Sequence, residues 1–380
     1  MTLRYLTAGE SHGPALTGIL EGMPAGVAVC PEDFSLLLQR RFAGYGRGQR
    51  ARIETDQVEV LSGLIGGVTT GSPISLLIRN ADYATHTAYM HPFNPPAAAG
   101  HIAVPLPGHA DFAGTRKYGL NDCRPVRERA SARETAMRTA LSVPARCLLK
   151  ALGIRTTCLV ERIGPLSANV DYTAAPELIA TAVASSGNDF MTPDPEISKA
   201  WRRLVDESAA QKISLGGSGA VICWGLPVGL GSHVQFDRRL DNVLAGLIMS
   251  IPAVRGVEFG LAAVAAASCE PVADRIDYNP ETGFSRGSNR AAGLEGGMTT
   301  GQPLIMRFHM KPPPGNARVP SVNLNTLSPE QPAVYRSDTQ AVTAAAIVAE
   351  SVVAIQLASE IIASTGGSSL KSILDRLGRP

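Results

Sequence analysis

The stretch Pro107-Gly108-His109-Ala110-Asp111, running on through Arg124, Arg127, Arg129, Ser131, Arg133 and Arg138, gathers more chemistry-bearing side chains than any other part of the chain. A histidine near an aspartate, followed by five arginines within fifteen residues, suits the grip of something small and highly anionic. A second candidate is Gly9-Glu10-Ser11-His12-Gly13, where flanking glycines let the backbone approach a ligand closely; His12 is there a candidate acid or base, or an exposed histidine in a polar turn. A third is Arg40-Arg41 followed by Ala43-Gly-Tyr-Gly-Arg47-Gly48. Its glycines resemble a dinucleotide fingerprint, but they follow a predicted helix where that motif must follow a strand and open a helix. The reading is instead a mobile glycine-rich arm carrying Arg41, Arg47, Arg50 and Arg52.

Two further arginines, in Arg129-Ala130-Ser131 and Arg336-Ser337-Asp338, each stand just before a long alanine-rich segment of helical period. Helix N-termini carry unsatisfied N–H groups and partial positive charge, so the pair makes two related anion sites suited to a ligand with two anionic ends. Asp338 opposes that logic and reads either as a helix cap or as a base that must stay ionised. The chain contains no phosphate-binding P-loop, no HExxH and no GxSxG, which removes the usual support for kinase, zinc protease and serine hydrolase readings.

Composition narrows the class further. With 380 residues and 44% hydrophobic content the chain can bury a substantial core. Its 18% charged residues and net charge of +2 give no global field for nucleic acid or an acidic membrane. Only six of the 35 basic side chains are lysines, a bias towards a planar, always-charged fork that fits fixed anion sites and that a high-GC coding bias would equally produce. The six cysteines show no metal-ligand spacing, which implies a reducing, cytoplasmic setting. The first residues lack an apolar signal-peptide run and no unbroken apolar run of about 18 residues occurs, so a soluble protein is expected.

The elements that must position these residues follow from periodicity. Strands are predicted over 2–8, twice within 15–29 around a 22–26 turn, and over 52–64 and 73–79, with a helix over 31–41. Ser131 and Glu134 have capping-box spacing ahead of a helix that Pro144 should kink or split. A second helix, over about 341–364, is apolar on nearly every face and must be central. Three echoes recur at similar but unequal offsets. Gly66-Gly-Val-Thr-Thr-Gly-Ser-Pro73 matches Gly296-Gly-Met-Thr-Thr-Gly-Gln-Pro303, Gly22-Met-Pro-Ala-Gly26 matches Gly225-Leu-Pro-Val-Gly229, and Arg129 matches Arg336. This is an internal duplication. The expected fold is α+β, a β-α-β sandwich of one domain over 1–380, with pseudo-symmetric halves at roughly 1–153 and 213–380 and a peripheral insertion at 154–212.

Taken together, Thr7-Ala-Gly-Glu-Ser-His-Gly13, Arg40-Arg41 with Gly44-Tyr-Gly-Arg47-Gly48, Pro107-Gly-His-Ala-Asp111, Ser131-Ala-Arg-Glu-Thr135, Val257-Glu-Phe-Gly260, Glu295-Gly-Gly-Met298, Lys311-Pro312 and Arg336-Ser-Asp338 resemble the chorismate synthase family, in order from residue 3 to about 362. The resemblance implies a homotetramer that binds reduced FMN and eliminates phosphate and a ring hydrogen from 5-enolpyruvylshikimate 3-phosphate without net redox change. It implies His12 as general acid for the leaving phosphate, His109 beside flavin N1 and Asp338 beside flavin N5. It implies flavin contacts at Arg129, Ala130, Ser131, Gly296, Lys311, Pro312, Pro313, Pro314, Gly315 and Arg336. Substrate anions or NADP would lie at Ser11, Arg41, Arg47, Arg50 and Arg133, and no metal is implied. NADPH would act only indirectly, through an external flavin reductase. Four positions depart from the family pattern: Leu106 and Ala130 replace an arginine and a serine, Pro252 replaces an asparagine, and Lys311-Pro-Pro-Pro-Gly315 replaces Lys-Pro-Ile-Pro-Thr. These departures motivate the rival reading of a weakened paralogue that binds FMN or a phosphorylated acid.

Overall fold

A computed structural model of the chain describes residues 2–48, 54–94, 100–185, 188–260, 262–269, 271–315, 319–333 and 338–378. Two antiparallel sheets enclose a layer of helices. The first sheet is formed by β1 (Arg4–Ala8), β2 (Ala15–Glu21), β3 (Val58–Ser62) and β6 (Ile74–Arg79), with a small hairpin of β4 (Leu64–Ile65) and β5 (Val68–Thr69) between the last two. The second contains β7 (Arg155–Ile163), β8 (Leu166–Ser167), β9 (Gly217–Trp224), β10 (Val254–Phe259) and β15 (Leu304–Met310). Between β10 and β15 come the hairpins β11 (Ile276–Asn279) with β12 (Gly283–Arg286) and β13 (Leu294–Glu295) with β14 (Met298–Thr299). The helices used below are α1 (Pro31–Phe42), α2 (Asp111–Tyr118), α3 (Arg124–Arg129), α4 (Thr135–Ala151), α5 (Pro176–Val183), α6 (Pro195–Ala210), α7 (Leu240–Met249) and α8 (Val342–Thr365).

The strand order β1-β2-β6-β3 in one sheet is repeated as β7-β9-β15-β10 in the other. Local chemistry repeats with it. Thr69 Oγ1 donates to the Pro24 carbonyl at 2.6 Å, and Thr299 Oγ1 donates to Pro227 at 2.7 Å. Gly26 N and Gly229 N each donate to the carbonyl of their own threonine at 2.9 Å. The glycines of both echoes hold positive φ, which is why the same residue type recurs at each turn. This is the internal pseudo-twofold of the sandwich.

Helix α8 is buried along almost its whole length, including Val348, Val352, Ile355 and Ile362, and ends at Gly366 in the left-handed conformation. Its length and composition would suffice to cross a membrane, but it lies inside the fold against α4 and strands β7 and β9. Gly18 on β2 makes the matching contact possible on the first sheet, because a Cβ there would meet Met137 Cγ at 2.7 Å and Leu141 Cδ1 at 2.8 Å. Alternation on β2 and β6 sends Leu16, Leu20, Ile74, Leu76 and Ile78 into this core.

The structure corrects several sequence expectations. Residues 155–163 are not peripheral: β7 is a buried strand beside β9 and occupies the place in the second sheet that β1 holds in the first. The patterns differ because β7 and β9 are covered on both faces, by α8 on one side and α5 on the other, so neither alternates. Helix α4 runs unbroken through Pro144, whose missing N–H is offset by burial of the helix between β2 and α8. Ser131 opens a short 3₁₀ turn by accepting from Arg133 N at 3.3 Å, while Glu134 pairs with Arg138 at 2.9 Å and closes no capping box. Beyond Gly22, the described chain forms only isolated bridges where a second strand was predicted.

Candidate active site

The candidate site is assembled on the six-residue helix α3. Three successive residues of its last turn reach three different segments. Arg127 Nε donates to Asp111 Oδ2 at 2.8 Å, and the other oxygen of Asp111 holds His109 Nδ1. Glu128 receives His12 N at 2.8 Å and His12 Nδ1 at 2.9 Å. Arg129 donates to the carbonyls of Thr7 and Gly9 at 2.8 and 3.0 Å, which fixes the exit of β1. Both sequence-predicted histidines therefore hang from one helical turn.

Each histidine is set by a buried carboxylate. Asp111 is fully buried; burial pushes its carboxyl up, but the hydrogen bonds from His109 and Arg127 outweigh this and hold it below the ordinary carboxylate range. Leu106 contributes only its backbone N, which donates to Asp111 Oδ2 at 3.0 Å. Burial likewise raises Glu128, and the hydrogen bonds from His12 more than reverse it. Since an ionised carboxylate can only accept, Nδ1 of His12 carries the proton shared with Glu128, and Nε2 is the second functional atom of the ring. His86 stacks on His12 with centroids 4.2 Å apart, and Asp82 lies 3.9 Å from Nε2.

Ser11 is buried, and its N donates to the Glu128 carbonyl at 3.0 Å. Asn80 holds the same loop by donating to the Gly13 carbonyl at 2.7 Å and accepts from Arg133 Nε at 3.0 Å. Arg133 is buried and also donates to Asp56 at 2.5 Å and Glu54 at 3.3 Å. Arg41 is buried too, donating to Thr135 Oγ1 at 2.9 Å and Ala132 O at 3.0 Å, and burial lowers its pKa to about 10. Both guanidiniums are thus engaged beneath the loop.

Asp338 is not a helix cap. Gln340 performs that role, its Oε1 accepting from Val342 N at 2.8 Å. Asp338 instead accepts from Gly48 N at 2.6 Å and pairs with Arg47 Nη1 at 2.6 Å, which ties the 43–48 arm to the start of α8. Arg47 Nε is buried and has no hydrogen-bond partner among the described residues.

Lys311, at the end of β15, donates to the Gly108 carbonyl at 2.5 Å. Burial and the nearby Arg255 push its ammonium pKa down. A Cβ on Gly108 would lie 3.2 Å from Lys311 Nζ and 3.9 Å from Pro314 Cβ, so the 107–111 loop and the 311–315 segment face one another closely with bare backbone on one side. Pro312 is exposed, Pro313 and Pro314 are half-buried and Gly315 is buried. Ala130 closes α3, its N donating to Val126 O at 2.9 Å. Gly296 lies in the β13–β14 turn, and that hairpin bonds to Gly229, Leu230 and Leu240. Arg50 and Arg336 fall outside the described residues.

Sequence reading missed Glu128, Asp82, His86, Asn80, Glu54 and Asp56. Only Glu128 carried a signal, as the sole acid among Arg124, Arg127 and Arg129. The others come from segments distant in sequence.

The family model for chorismate synthase matches residues 3–362. A chorismate synthase of Desulforudis audaxviator is 48% identical over 377 residues, covering 98% of this chain and 96% of the relative. One of Desulforamulus reducens is 46% identical over 381 residues, covering 99% and 98%. A solved crystal structure of a chorismate synthase superposes with a TM-score of 0.80 at 35% identity, covering all of this chain and 97% of that one.

Proposed function

The chain belongs to the chorismate synthase family, and from that premise we propose how its own residues perform the reaction. The enzyme is a lyase of aromatic biosynthesis: it converts 5-enolpyruvylshikimate 3-phosphate to chorismate by 1,4-elimination of phosphate. The observation that carries the residue assignment is the turn Arg127-Glu128-Arg129, which suspends both histidines from one rigid support.

His12 donates a proton from Nε2 to the departing phosphate. Glu128 fixes the ring through Nδ1 and stabilises the imidazolium form before transfer, the role that buried carboxylates play towards catalytic histidines. Arg47 meets the phosphate or carboxylate charge with its unsatisfied Nε, and Ser11 and Arg50 assist. Arg41 and Arg133 support the site from below and set its positive potential, since their hydrogen bonds already bind them to Thr135, Asp56 and Glu54.

The segments around His109 and Lys311 fit a reduced flavin. They place two cation-capable donors beside a stretch of bare glycine backbone, and reduced FMN presents an electron-rich plane with anionic character at one edge. His109, Arg129, Ala130, Ser131, Gly296, Lys311 to Gly315 and Arg336 would hold it. When bound, reduced FMN supplies transient electron density that helps expel an allylic phosphate without net redox change. Asp111 keeps His109 oriented towards that site, and Asp338, close to Arg47, takes part in removing the ring hydrogen.

An external reductase supplies reduced FMN, with NADPH feeding that enzyme. The protein acts in the cytoplasm as a homotetramer. The exposed apolar face of the first sheet, at Leu6, Ile19 and Leu61, supports assembly. We further read the chain as one domain, with the second half beginning at β7 and the insertion reduced to the segment between β7 and β9.

The test is an anaerobic assay of the purified chain with chemically reduced FMN and 5-enolpyruvylshikimate 3-phosphate, following phosphate release and chorismate absorbance together. Equal rates of both signals support the reading. Phosphate release without chorismate, or activity restored by NADPH and oxidised FMN without a reductase, would contradict the corresponding part.

A further inference from the structure

Away from this site, a cavity of about 640 Å³ opens between α1, the second half of α4 and the start of β7. Arg40 enters it from the last turn of α1, Arg146 and Lys150 from adjacent turns of α4, and Arg155 from the first position of β7, while the exposed Leu36 provides apolar wall over the buried Leu37 and Val143. Like charges one turn apart on a helix repel, so four converging cations call for an anion.

The protein supplies only part of it. Glu350 of α8 is fully buried beneath the cavity, 2.9 Å from Arg146 Nη1 and 3.5 Å from Arg40 Nη2, and accepts from Thr156 Oγ1 at 2.8 Å. Burial pushes its carboxyl up, but the two guanidiniums bring it down to about 2, so it carries one full negative charge shared by two cations. Arg146 Nη1 is buried against Glu350 Oε1 and meets no other acceptor among the described residues. Asp33, the acid on the lining, accepts from Cys30 N at 2.9 Å and from the Cys30 and Cys147 thiols at 3.0 and 3.5 Å, and its carboxylate also feels the Lys150 ammonium. Lys150 and Arg155 stand exposed at the mouth, with Arg155 Nη1 pinned to the Lys150 carbonyl at 2.9 Å.

We propose that this cavity is a second binding site, for a small organic anion whose phosphate or carboxylate is held by Arg146, Lys150 and Arg155 and whose apolar body rests on Leu36. It is separate from the His12 and His109 site. Arg41, the residue after Arg40, reaches away to Thr135 and Ala132, so the two arginines at the end of α1 serve different sites.

The test is titration calorimetry of the full chain with phenyl phosphate and with inorganic phosphate, on wild type, Lys150→Ala/Arg155→Ala, Lys150→Arg and Arg47→Ala. The double variant removes only exposed charges and leaves the Glu350 cluster intact; unchanged turnover shows that it is folded. The expected result is a phenyl phosphate binding event, about tenfold tighter than that of inorganic phosphate because the ring is buried. It persists in Lys150→Arg and Arg47→Ala and weakens at least tenfold in the double variant. An identical isotherm in wild type and double variant overturns the proposal. So does loss of all binding in Arg47→Ala, which would place the anion in the active site.

Discussion

At the residue scale the informative partner is Glu128, because it decides which nitrogen of His12 can act. Its two short hydrogen bonds, to His12 N and Nδ1, fix both backbone and ring, so that removing the imidazole and removing its holder are different experiments. His12→Ala should lower kcat by about 10² to 10⁴ if the ring is a proton donor in the transition state, with flavin affinity measured by fluorescence quenching left near wild type. Glu128→Gln should lower kcat by roughly 10-fold to 100-fold, with KM little changed and the alkaline limb of the pH profile, where a proton donor loses its proton, moved to lower pH. A glutamine that left the pH profile untouched would reduce Glu128 to a structural tie. The departure at Leu106 is also clarified here: the side chain is buried and its backbone serves Asp111, so this position supplies no cation to the site.

At the element scale, the helices inside the sandwich are positioned by small residues and by one buried charge cluster. Gly18→Ala places a methyl group within 2.8 Å of Met137 and Leu141, and overpacking of this kind should destabilise the chain by about 1–3 kcal/mol. Urea unfolding reads this directly, and an unchanged midpoint would show that α4 can move off β2. Glu350 gives the pH prediction. Its pKa in the folded chain is about 2, against an ordinary value of 4.5, so the stability it contributes is fully present above about pH 4.5 and is lost as pH falls through 2. Glu350→Gln leaves Arg40 and Arg146 without their shared anion and should cost about 3–5 kcal/mol at neutral pH. The gap between variant and wild type should then narrow below pH 4.5; a gap independent of pH would mean that packing, not charge, is what the substitution disturbs.

At the scale of the whole molecule the two sheets have unequal surroundings. The insertion covers the outer face of the second, whereas the first exposes Leu6 at 60%, Ile19 at 47% and Leu61 at 58%. Apolar groups on one sheet face are the expected mark of an interface between copies. Leu6→Lys/Leu61→Lys should therefore lower the mass measured by light scattering while each chain remains folded. A variant that keeps the wild-type mass would locate assembly on another surface.

The sequence by itself determined the parts whose causes are local. Glycines at turns, period-two strands, an apolar helix over 342–365 and a run of arginines can be read without a partner, because backbone conformation and amphipathic faces depend on near neighbours. The motifs also singled out His12, His109 and Asp338 as candidates, and identified the family to which the chain belongs. Tertiary structure alone decided that β7 completes the second sheet, that Pro144 leaves α4 whole, and that Asp338 faces Arg47 and Gly48 while Gln340 caps α8. It alone joined Glu128 to His12 across 116 positions and Arg133 to Asn80, Glu54 and Asp56 across more than 50. The reason is physical: a buried charge takes its partner from whatever the packed core brings within reach, and periodicity carries no record of that choice.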